Sequence, residues 1–417
     1  MRGVVKTIRS AAVIVLLVAL LLAGCAQQAV QQPSESEKTP TTETKEPIKI
    51  GAAIPLTGPG SLTGLELQRG MKLAEKEINS AGGVLGRPIK IIFEDTKTNP
   101  DAAKSAVKRL AEIENVDVLT GIMSSSVFAG VIPDLKRYQK VTLIVGAAYS
   151  PFEEKFKDDD WFFHVHPYDY HNVKFYAKFL KDIGVKSIVL FYESGAFGTG
   201  SKKQIEETFP DYGIQVLDSL EFTSGSGDFR SLITRAKQLN PDALLWVGYE
   251  VDALPIVLQC KELDFNPKII AGSPPSWSKE FMQSKESEYV IGISYWNEYL
   301  PTEESKKFVE KYKEEYGVAP LNYFAVIGYS TIMAVAKGIE KAGSVEKDKL
   351  IKGLEQVELN TPMGTLRFAP SKYIKHQGFT DGNGVGFQWR ESKQIPVYPP
   401  EIAVENVVYP VPKWSER

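Results

Sequence analysis

The sequence predicts an α/β protein built from two doubly wound parallel-sheet lobes. Short apolar runs alternate with stretches of helical spacing through most of the chain, the pattern of strands joined by crossover helices. The alternation falls into two series, one ending near Ala148 and one beginning near Ser187. Roughly 370 residues follow Ile48, more than one typical domain holds and enough for two.

The first series opens with a strand over 48–54 and a turn over 55–64. A helix over 65–81 follows, with Leu65, Met71, Leu73, Ala74 and Ile78 on one stripe and Gly82-Gly83 as its stop. A strand over 89–94 leads to Asn99-Pro100-Asp101, a capping sequence for a helix over 102–113. The run VDVLTGIMSSS over 116–126 reads as a buried strand that passes through Gly121 into three hydroxyls and a helix over 127–138. Such a junction can hold a small anion on the free N–H groups of the first helical turn; Ser124–Ser126 equally suit a plain helix cap. A strand over 142–145 ends in Gly146-Ala147-Ala148. The second series places strands over 187–192, 214–222, 243–248 and 268–271, with helices over 201–209, 229–239 and 252–263 between them. The tail is less regular, with helices over 303–316, 325–341 and 347–356 and strands over 364–368 and near 388–390.

In parallel sheets ligands bind beyond the carboxyl ends of the strands. Those ends are 55–63, 123–126, 146–149, 193–198, 249–252 and 272–277, and two lobes would face them across a cleft.

The start of the chain reads as an address. Arg2, Lys6 and Arg9 precede an apolar run over 11–22 that is too short for a comfortable membrane span, and Leu22-Ala23-Gly24-Cys25 follows. This order resembles the lipobox of prokaryotic lipoproteins, which implies a signal peptide over 1–24 and a lipid on Cys25. Residues 25–47 are almost devoid of apolar side chains and are expected to form a disordered tether, spanning roughly 25 Å.

Composition excludes several classes. A net charge of −3 without a basic tract argues against nucleic acid as a partner. Cys260 has no second cysteine once Cys25 carries a lipid, so the body must depend on its core, which 43% apolar content allows. No G-x-S-x-G, H-E-x-x-H or P-loop motif is present, so no enzyme or cofactor is expected. Gly58–Gly64 imitates a dinucleotide loop with the wrong final spacing, and Pro59 removes an N–H that phosphates would need. His164, His166 and His171, with Asp169, could hold zinc; a lobe-crossing strand whose histidines pack and bond locally explains them better, and no metal is assigned.

Several motifs together resemble the Leu/Ile/Val-binding protein family, the class I solute-binding proteins of ABC importers. They are IKIGAAIPLTGP (48–59), EINSAGGVLGRPI (77–89), Ser124–Ser126, GAAYSP (146–151), FGTG (197–200) and DFRSLI (228–233). The resemblance implies a type I periplasmic binding protein fold with three chain crossings, near Tyr168, Glu298 and Lys375. One lobe would comprise 48–168 and 299–375, the other 169–298 and 376–417. It also implies a carboxylate held by Ser124, Ser125, Ala147, Ala148 and Tyr149, with Phe197 and Tyr249 closing over it from the second lobe. Thr63, Pro274 and Trp277, at other strand ends, complete the expected site. The expected partners are a small carboxylate-bearing solute, a branched-chain or other amino acid, with ABC permease subunits and, through Cys25, the outer face of a membrane.

One departure bears on the solute. Amino-acid binders of the family place a glutamate after the strand that ends here at Gly272, but this loop reads Ser273-Pro274-Pro275-Ser276-Trp277. Leaving a desolvated ammonium unpaired costs several kcal/mol. Either Glu250 or Asp252, just past Tyr249, substitutes, or the solute lacks an amine, as an aromatic acid, keto acid, amide or urea does, with Trp277 or Phe197 as a stacking wall. The same fold also serves in ligand-sensing receptors.

Overall fold

The computed structural model describes residues 46–273, 277–300, 302–379 and 384–417. The expected signal peptide, Cys25 and the tether up to residue 45 lie outside them.

In chain order the first series comprises β1 (Ile48–Ile54), α1 (Ser61–Ser80), β2 (Ile89–Asp95), α2 (Pro100–Lys108), β3 (Val118–Gly121), α3 (Ser125–Tyr138), β4 (Thr142–Ile144) and β5 (Phe162–His164). The second comprises α4 (Asp169–Asp182), β6 (Ser187–Glu193), α5 (Ala196–Thr208), β7 (Gln215–Phe222), α6 (Arg230–Leu239), β8 (Ala243–Val247), α7 (Glu250–Glu262), β9 (Ile269–Gly272), α8 (Lys279–Gln283) and β10 (Ile291–Ser294). The tail adds α9 (Glu303–Tyr316), α10 (Phe324–Ala342), α11 (Lys347–Leu354), β11 (Glu358–Thr361), β12 (Gly364–Arg367), β13 (His376–Gln377), β14 (Val385–Arg390) and β15 (Lys393–Tyr398).

Two sheets result. The first runs β13-β5-β4-β3-β1-β2 and is parallel throughout. The second runs β15-β14-β10-β9-β8-β6-β7, with β14 and β15 antiparallel at one edge. The strand order reverses direction at β1/β3 in one sheet and at β6/β8 in the other, the switch points where α/β sheets bind ligands. The doubly wound fold class expected from the sequence is therefore the one observed.

The chain changes sheet between His164 of β5 and Ser187 of β6, between Ser294 of β10 and the first-sheet strand β13, and again between Gln377 of β13 and Val385 of β14. The crossings expected near Tyr168 and Glu298 fall within the first two of these stretches. The third is later than Lys375, because His376 and Gln377 still pair with Phe163 and His164 of the first sheet. Lys375 itself is tied to that lobe through Asp160 at 2.6 Å.

Local rules explain most element ends. Asn99 accepts from the N–H groups of Asp101 and Ala102 at 2.9 and 3.0 Å, and Pro100 occupies the first helical position, where no N–H is missed. Helices α1, α5 and α7 begin two to five residues earlier than spacing suggested, because their first turns are polar or Gly-rich and carry no apolar stripe to mark them. Helix α4 and strands β10 and β15 escaped sequence reading altogether, and β5 was read only as a strand bearing His164.

The first sheet and its helices share one core, which holds the stacked rings of Phe128, Phe156 and Phe162. Helices α1 and α10 cross there at backbone contact. A Cβ on Gly70 would sit 1.9 Å from the Ala325 carbonyl oxygen, and one on Gly328 would sit 2.4 Å from that of Leu67. The second sheet has a separate core on each face. Cys260 is a free thiol buried in one of them. Among the described residues, no helix is long and apolar enough to cross a membrane.

Candidate functional site

Strand β3 ends in an irregular backbone. Gly121 has φ +101°, and a Cβ there would meet the Ala53 carbonyl oxygen at 2.3 Å, so only glycine fits. Ile122 and Ala147 also adopt left-handed conformations, φ +59° and +54°, which cost energy and cluster at functional sites. The turn at Ile122 sends Ser124 to the start of α3, while Ala147 donates its N–H to the Met123 carbonyl and brings β4's end alongside.

The three serines divide their work. Ser124 occupies the cap position of α3, yet its hydroxyl makes no capping bond; it lies 3.1 Å from the hydroxyl of Tyr249 in the other lobe. Ser125 Oγ accepts from the Tyr149 N–H at 3.2 Å. Ser126 Oγ accepts from the Ala196 N–H, the first of α5, at 3.0 Å. The plain cap reading therefore fails for Ser124, and two of the three hydroxyls reach across the cleft.

A cavity with about 560 Å³ of empty space lies at this junction. Its first-lobe wall includes Met123, Ser124, Ser125, Gly146, Ala147 and Ala148; Phe197, Tyr249 and Ser273 face them. His166, Asn172, Tyr295, Tyr323 and Phe324 form the far end. Among the described lining residues there is no carboxylate and no Lys or Arg.

The far end is polar but neutral. Burial, followed by the nearby His164, pushes His166 down to about 3. Its Nδ1 faces the Pro167 carbonyl oxygen at 2.5 Å, which can only accept, so Nδ1 carries the proton. Nε2 is then an acceptor and takes the Tyr323 hydroxyl proton at 3.0 Å. Tyr295 is 5% exposed, stands edge-on to both rings, and its hydroxyl has no partner among the described residues. Burial raises its phenol well above the ordinary value, so it is a neutral donor in search of an acceptor.

Second-lobe residues are held by buried carboxylates. Glu193 accepts from the N–H groups of Gly195 and Gly198 at 2.5 and 2.7 Å and so shapes the turn that presents Phe197. Asp252 accepts from the Tyr249 N–H at 2.9 Å and from Ser224 and Gly225. The rings of Phe197 and Tyr249 lie 5.9 Å apart.

Ser124, Ser125, Ala147, Ala148, Phe197 and Tyr249 thus come together on the cavity wall. Other expected residues do not. Tyr149 turns outward into a groove with Tyr170 and Tyr373. Trp277 is 3% exposed and packs among Trp246, Phe281, Phe387 and Trp389, so it is core and not a stacking wall. Glu250 does not reach the cavity; its Oε1 accepts from the Leu62 and Thr63 N–H groups at 3.1 and 3.4 Å. Thr63 belongs to that contact. Pro274 lies outside the described residues. His164 bonds Glu153 with its ring 6.4 Å from that of His166, and His171 lies tilted against Tyr170. Among the described residues no cluster of three His, Cys, Asp or Glu is placed to hold a metal.

A smaller extension shares Asn172, Phe197 and Ser273 with the main cavity and is lined by Asp169. The Asp169 carboxylate accepts from the Tyr170 N–H at 2.9 Å and from Gln204 Nε2 at 2.5 Å.

Two facing sheets, three chain passages and a neutral polar cavity at the switch points define a two-lobed solute-binding protein. The chain belongs to the periplasmic binding protein family, whose profile matches residues 47–388. It is 25% identical to Leu/Ile/Val-binding protein homolog 7 of Brucella suis over 95% of this chain and 98% of that one. Its fold is similar to that of the branched-chain amino acid transporter substrate-binding protein of Streptococcus pneumoniae in complex with isoleucine, with a TM-score of 0.74 and 21% identity over 87% of this chain and 100% of that one. It is equally similar to an ABC-transporter solute-binding protein of R. palustris in complex with benzoate, with a TM-score of 0.75 and 17% identity over 84% of this chain and 95% of that one.

Proposed function

We propose that this protein captures a small carboxylate-bearing solute lacking a free ammonium and delivers it to an ABC permease from a lipid anchor at Cys25. The observation that carries the reading is the contrast between the two ends of the cavity. One end offers the N-terminus of α3 with the Ser124 hydroxyl and the Ala147–Ala148 backbone, donors suited to a carboxylate. The other offers Tyr295, Tyr323, neutral His166 and Asn172, with no acid among the described residues of the cavity wall itself and Asp169 only in the adjoining extension. Such an end suits the hydroxyl, keto or ring edge of an aromatic or keto acid. Solute-bound closure of the lobes about the three passages is the signal read by the permease.

A second reading keeps the amine: an amino acid whose ammonium enters the extension toward Asp169. Titration calorimetry of the full chain with 4-hydroxybenzoate, benzoate, leucine and leucine's 2-keto acid separates the two. At least one of the acids without an amine is expected to bind ten times tighter than leucine. Leucine as the tightest ligand would replace the first reading with the second.

A further inference from the structure

Helix α1 begins at Ser61 with no side chain of its own lobe capping it. Its first N–H groups are instead satisfied from the other lobe, where Glu250 at the start of α7 projects Oε1 to within 3.1 Å of the Leu62 nitrogen and 3.4 Å of the Thr63 nitrogen. Glu250 is 4% exposed and Thr63 fully buried, while the bond from Leu62 is partly buried, so the contact is largely shielded from solvent. We propose that Glu250 is a latch that holds the two lobes closed by accepting the first-turn N–H groups of α1 from across the cleft. This rests on the reading that the lobes open and close about a solute, and it assigns the closing force in part to a residue outside the cavity.

Two further features give the latch a chemical character. Glu250 Oε2 and Thr63 Oγ1 are both buried without a partner among the described residues, an arrangement that suits a neutral acid better than a bare carboxylate. Burial pushes the Glu250 carboxyl up to about 7. The titratable groups beside it are Asp252 and Tyr249 on its own side, and the first turn of α1 brings no charged side chain. In the open protein Glu250 faces water and titrates near its ordinary value. Closure therefore takes up a proton: its stabilisation is fullest below the ordinary carboxylate range and is lost as pH rises through about 7.

Amide hydrogen exchange of the full chain without added solute tests this, read at the Ala196 N–H. That amide bonds Ser126 across the cleft, away from Glu250, so a purely local cap would leave it unchanged. After correction for intrinsic rates, Glu250→Ala is expected to lower protection at Ala196 by about tenfold, the effect of one or two lost hydrogen bonds. Wild-type protection should fall between pH 5 and pH 8. Glu250→Gln, which retains an acceptor oxygen without the charge, should keep protection and show no pH dependence. Unchanged protection at Ala196 in Glu250→Ala, or none in the wild type, overturns the latch. Because no solute is present, either result leaves the proposed carboxylate site to be judged by calorimetry alone.

Discussion

The N-termini of α1 and α3, both in the first lobe, face the cleft and are treated in opposite ways. The first turn of α1 is filled by the protein's own acid, Glu250, from the opposite lobe. The first turn of α3 is kept free of any protein acid; its cap residue Ser124 turns its hydroxyl toward Tyr249 and leaves the N–H groups facing a cavity. Both ends carry the same partial positive charge. The difference shows that the sequence does not simply expose helix ends. One is consumed to bring the lobes together, the other reserved for what they enclose.

The sharpest way to break this contrast is to fill the reserved end. Ser124→Asp places a carboxylate where the solute's would sit. Carboxylate affinity is expected to fall by more than about a hundredfold through like-charge repulsion, while thermal stability holds or rises, since Asp caps helices well. Calorimetry alongside thermal melting checks both. Emptying the consumed end is milder. Glu250→Ala should raise the Kd for 4-hydroxybenzoate and for leucine's keto acid by about tenfold alike, through faster dissociation. A loss confined to amine-bearing ligands would return Glu250 to the role of ammonium partner. At the far end of the reserved site, Tyr295→Phe should weaken 4-hydroxybenzoate by roughly fivefold and benzoate hardly at all, because the orphan hydroxyl serves a polar substituent. Equal losses for the two acids would show that Tyr295 acts only by packing. The smallest effect is expected beside the latch: Thr63→Val removes a buried hydroxyl without a partner, so chemical denaturation should show stability within about 0.5 kcal/mol of wild type or higher.

What the sequence disclosed follows the range of the interactions. The alternation of strand and helix, the glycine-serine turn after β3 and the Gly-Ala-Ala end of β4 are local, and they placed Ser124, Ala147 and Ala148 correctly on the cavity wall. Glu250 stood beside Tyr249 and was read as a possible ammonium partner, because its actual partners lie 188 and 187 residues away and leave no local trace. Trp277 was misplaced because an aromatic at a strand end looks the same whether it lines a cleft or fills a core. His166, Tyr295 and Tyr323 were missed as cavity-lining residues for a further reason. They sit in or beside the passages between the sheets, where no hydrophobic period marks which way a side chain points. The one available signal was the concentration of three of four histidines near the first passage, which raised a metal reading; among the described residues no cluster of three His, Cys, Asp or Glu is placed to hold a metal.

The backbone-close crossing of α1 and α10 also constrains how the protein comes to exist. Gly70 and Gly328 meet from opposite ends of the chain, and the first sheet acquires its edge only with His376 and Gln377. A polypeptide that emerges N-terminus first has its opening β-α units outside long before α10 can cover them. Leu67, Met71 and Ala74 of α1 would meanwhile present a bare apolar stripe. The contact that makes the mature lobe rigid is thus a late one, and the interval before it forms is when the chain is most open to aggregation and to chaperones.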